Sequence, residues 1–138
     1  MASMKKEKLT VLEIKPMEHP RVCSIEPTIE AFRKAVRTNI IEYGDVEAKR
    51  ISRDAYIIFN KDRFLTGLVP NRQIGDDIIC GTMYIVATDD RKRACSLSNK
   101  QIDKYTLQFY DIEYFDDIDV AEANINTMMS RFWKNEER

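Results

Sequence analysis

Apolar positions along this chain fall into short blocks, and only four glycines and four prolines interrupt 138 residues. Leu9–Lys15 carries Leu9, Val11 and Ile14 and reads as a buried first strand that Pro16 ends. Met17–Pro20 reads as a turn and Arg21–Ile25 as a second strand, which together predict an antiparallel hairpin. Thr28 is placed to cap a helix on which Ile29, Phe32, Ala35 and Val36 recur at helical spacing, ending near Thr38-Asn39. Ile40, Ile41, Tyr43 and Val46 mark a further strand. Ala55–Phe59, rich in β-branched and aromatic residues, gives the strongest strand signal, and Asn60-Lys61-Asp62 has turn chemistry.

Phe64–Val69 leads into Pro70-Asn71-Arg72, which cannot be a central strand because proline brings no N–H donor. Ile78–Ala87 is too long for one strand, and Gly81 marks the expected bend or bulge. Asp89–Arg93 is a polar loop. Ser98 with Gln101 forms a capping-box pattern ahead of a helix over about Asn99–Phe109. A last helix is expected over Val120–Lys134, where Val120, Ala121, Ile125, Met128, Met129, Phe132 and Trp133 are apolar. The fold class is therefore α+β: a mainly antiparallel sheet with two or three packed helices, one of them C-terminal. Residues 9–110 form the expected core. Residues 111–138 are an acidic linker plus a helix packed on that core.

Composition narrows the class. With 43% hydrophobic and 33% charged residues the chain is globular rather than disordered. Lys and Arg (22) balance Asp and Glu (23) at net charge −1, so the basic stripe of a duplex nucleic-acid binder is missing and nucleic acid is not the expected partner. No apolar run approaches the roughly 20 residues of a membrane span, and the N-terminus has no apolar signal core, so a cytoplasmic location is expected. Cys23, Cys80 and Cys95 form no C-x-x-C. With His19 as the only histidine, neither a metal nor a cofactor is expected, and the thiols read as reduced.

Candidate chemistry is sparse. His19 sits in a turn, and nothing in the sequence brings it to Cys80 or Cys95 as a nucleophile–base pair. The acidic pairs Asp76/Asp77, Asp89/Asp90 and Asp116/Asp117 need no role beyond solvation. Arg91-Lys92-Arg93 reads as a solvated loop tip. The polar group that stands out is Asn71 and Arg72 followed by Asp77. Asn71 can close an Asx-turn, and Arg72 offers a fork for carboxylate or phosphate. Two roles stand: a turn with Arg72 paired to Asp76 or Asp77, or an anchor for an anionic ligand or a partner's backbone.

Gly67-Leu68-Val69-Pro70-Asn71-Arg72, Asp77-Ile78-Ile79 with Gly81-Thr82-Met83-Tyr84-Ile85-Val86, and Ser96-Leu97-Ser98 with Gln101-Ile102 and Tyr105 together resemble a small domain-of-unknown-function family of phages, conjugative plasmids and Gram-positive anaerobes. The resemblance covers about residues 9–109. Arg91-Lys92-Arg93 departs from the more acidic, glycine-richer loop of the family. The resemblance implies mobile-element origin and no transferable reaction. The expectation is a non-catalytic phage- or plasmid-type binding protein, in its specific form an anti-defence inhibitor, antirestriction or anti-CRISPR-like, that occludes a host protein. Tyr114–Asp119 would then mimic nucleic-acid charge. The alternative is a small-molecule or nucleotide-binding module with Asn71 and Arg72 as anion anchors. A homodimer through Met128, Met129, Phe132 and Trp133 is a further expectation.

Overall fold

A computed structural model describes residues 7–36, 46–60 and 69–116, with Ile118, Ile125 and Met129 placed singly. The expected strand positions Ile40, Ile41 and Tyr43, the Phe64–Leu68 stretch and most of the expected Val120–Lys134 helix lie outside the described residues. The elements run β1 (Leu9–Ile14), β2 (Arg21–Ile25), α1 (Ile29–Val36), β3 (Val46–Ser52), β4 (Ala55–Asn60), β5 (Pro70–Ile74), β6 (Asp77–Cys80), β7 (Met83–Thr88), β8 (Ala94–Cys95) and α2 (Asn99–Gln108). The α+β class holds: the strands pair antiparallel throughout, in the order β2-β1-β7-β4-β3, with β8 on β7 and with β5–β6 as a separate two-stranded sheet.

Local chemistry sets the element ends. The Thr28 hydroxyl accepts from the Ala31 N–H at 3.1 Å and caps α1. At α2 both halves of the capping box are made: Gln101 N–H donates to Ser98 Oγ at 3.1 Å, and Ser98 N–H donates to Gln101 Oε1 at 2.9 Å. Gly81, at φ +79°, divides the apolar run, so β6 and β7 belong to different sheets. Pro70 begins β5, whose single neighbour is β6, where the missing donor breaks no central ladder. Beyond Val46, β3 reaches further toward the C-terminus than the sequence reading. It runs from Val46 through the polar residues to Ser52, because an edge strand need not be apolar.

The large sheet is covered unequally on its two faces. On one face Leu12, Ile14, Ile57, Phe59, Met83 and Ile85 pack against Leu97 and α2's Tyr105 and Phe109, with Ile79 joining from the small sheet. On the other, Leu9, Val11, Ile58 and Val86 meet Phe32 and Val36 of α1. α1 lies mainly over β4 and β3, and among the described residues the β1–β2 half of that face is an open groove beside the helix.

Candidate functional site

Asn71 and Arg72 sit on β5 in the interior, each 0% exposed. The Asn71 amide does not close a local turn. Its Nδ2 donates to the Ile14 and Gly81 carbonyls, both at 2.8 Å, tying the small sheet to the end of β1. Every N–H of Arg72 is engaged. Nε donates to Phe109 O (3.3 Å), Nη1 to Asn71 O (3.2 Å) and Asn71 Oδ1 (2.9 Å), and Nη2 to Glu18 O (2.8 Å) and Phe109 O (3.1 Å). Phe109 is the C-cap of α2, so the cation lies against the negative end of the helix dipole.

Burial pulls the Arg72 pKa below the ordinary guanidinium value, and the charges of Glu113 and Asp111 partly oppose that. The group stays charged, since a guanidinium is not deprotonated at ordinary pH. Arg72 does not pair with Asp76 or Asp77, which corrects that part of the sequence reading. Asp77 opens β6 opposite Ile74 and is half-buried. The three residues singled out in sequence therefore do not converge on a shared point. As placed, Arg72 is a staple between β5, the β1–β2 loop and α2, with no N–H left over for an anion.

His19 supports the same junction from outside. Its ring stacks on Tyr110 with centroids 4.1 Å apart, and Nδ1 donates to Tyr110 O at 2.6 Å. The Arg91–Arg93 tip is exposed, and Asp89 accepts from the Arg91 and Arg93 N–H groups, each at 2.9 Å. In the acidic segment, Glu113 Oε1 accepts from Gln73 N–H at 3.1 Å and Phe115 packs on Ile78 and Cys80, while Tyr114 is exposed.

An opening lies elsewhere, on the other face of the large sheet. The groove beside α1 has a volume of about 660 Å³, within the usual range for ligand sites. Its floor is Glu13, Cys23, Ile25 and Tyr84, and its wall is the Ala31–Lys34–Ala35 side of α1. Glu13 occupies a core-facing position of β1 yet is charged and only 8% exposed. Arg21 Nη2 donates to its Oε1 at 2.6 Å, and the Tyr84 hydroxyl donates to its Oε2 at 2.8 Å. Burial and then the Glu13 hydrogen bond push the Tyr84 phenol far above its ordinary value, so it keeps its proton and acts as a donor. Burial and the Glu13 charge likewise push the Cys23 thiol up, against the opposing pull of Arg21 and Lys15. A protonated thiol is a poor nucleophile. The floor therefore holds fixed donors and a compensated carboxylate, which suits recognition rather than bond making.

Sequence reasoning passed over Glu13, Arg21 and Tyr84. The signal was parity: Leu9, Val11 and Glu13 share one face of a strand, so a carboxylate stands where the pattern calls for an apolar side chain.

The model of the family described as domain of unknown function DUF3846 matches residues 8–110, which takes in every element from β1 to α2 and stops before the acidic segment. Comparison with curated proteins and with solved structures gives no match.

Proposed function

We propose, starting from the fact that this chain belongs to the DUF3846 family, that it is a non-catalytic binding protein of the kind phages and plasmids carry. It holds a host protein in the groove between α1 and the β1–β2 half of the sheet. The observation that carries this reading is a half-face that is open among the described residues and has a built polar floor: Glu13 sits at a core position and is compensated by Arg21 and Tyr84, next to the Ala31–Lys34–Ala35 wall of α1. Arg72 favours no second reading, because an anion could reach it only by breaking its bonds to main-chain carbonyls.

A pull-down from host lysate tests the reading. The wild-type chain captures one host protein in a stable complex. Ala31→Arg, which fills the groove from the half-exposed side of α1, loses that protein while its circular dichroism and melting temperature are unchanged. Undiminished capture by a folded Ala31→Arg removes the groove from the reading. The anti-defence form adds a cellular readout: a host expressing the chain stops restricting incoming phage DNA, and unaltered restriction rejects that form.

A further inference from the structure

We draw no further inference here: the strongest candidate, the apolar pocket of about 270 Å³ between α1 and the β3–β4 strands, lined by Ile29, Phe32, Ala48, Tyr56 and Ile58, carries nothing, because among the described residues nothing shows what covers it.

Discussion

Arg72→Met keeps most of the apolar stem of the side chain and removes its five N–H donors. Three acceptors in the interior, Phe109 O, Asn71 O and Asn71 Oδ1, then lose the bonds that Arg72 supplied, while Glu18 O lies near enough to solvent to find water. Each orphaned acceptor costs about 1–3 kcal/mol, or roughly 3–9 kcal/mol for the three. Part of that is returned, because the buried guanidinium was itself held away from water at a cost. The net expectation is a loss of about 3 kcal/mol, against a usual total of about 5–15 kcal/mol for a domain. In a chain of this size that lowers the melting temperature by about 10 °C. Urea unfolding followed by circular dichroism measures it as a lower midpoint with an unchanged slope. Arg72→Lys recovers little, since one ammonium cannot reach carbonyls on three segments. A loss below about 1 kcal/mol in Arg72→Met would refute the staple. So would a variant of full stability that has only lost a nucleotide-induced thermal shift, which is the behaviour of a ligand anchor.

Two further outcomes follow from single hydrogen bonds. The Tyr84 phenol has a folded pKa raised above its unfolded value of about 10, so the folded state holds the proton longer than the unfolded one. Its contribution is complete below about pH 10 and is lost as pH rises beyond it. Tyr84→Phe therefore shows a flatter alkaline decline than wild type in urea midpoints; Tyr56, also raised by burial, keeps the decline from vanishing, and an identical slope in the two proteins contradicts the assignment. Ser98→Ala breaks the capping box at α2 and lowers stability by about 1 kcal/mol in the same assay; no change shows that the start of α2 is held by packing alone.

Features that depend on neighbours a few residues apart were legible in the chain. Ser98 and Gln101 lie within one helical turn, and the capping box formed as read. The β1–β2 hairpin, β4 and the break at Gly81 likewise rest on local alternation and one permissive residue. The Glu13 anomaly was present too, as a charge on the apolar parity of β1, although its compensation by Tyr84 comes from 71 residues away. What Arg72 does was not legible, because its acceptors arrive from 37 and 54 residues along the chain. An arginine is read by default as a solvent-facing cation, since the cost of burying it can be judged only once those carbonyls are in place. The strand order and the placement of α1 over β4 and β3 were equally a tertiary outcome. Periodicity tells each element which side to bury, but not which neighbour it will be buried against. The half-face left open beside α1 among the described residues exists only because that choice was made by packing.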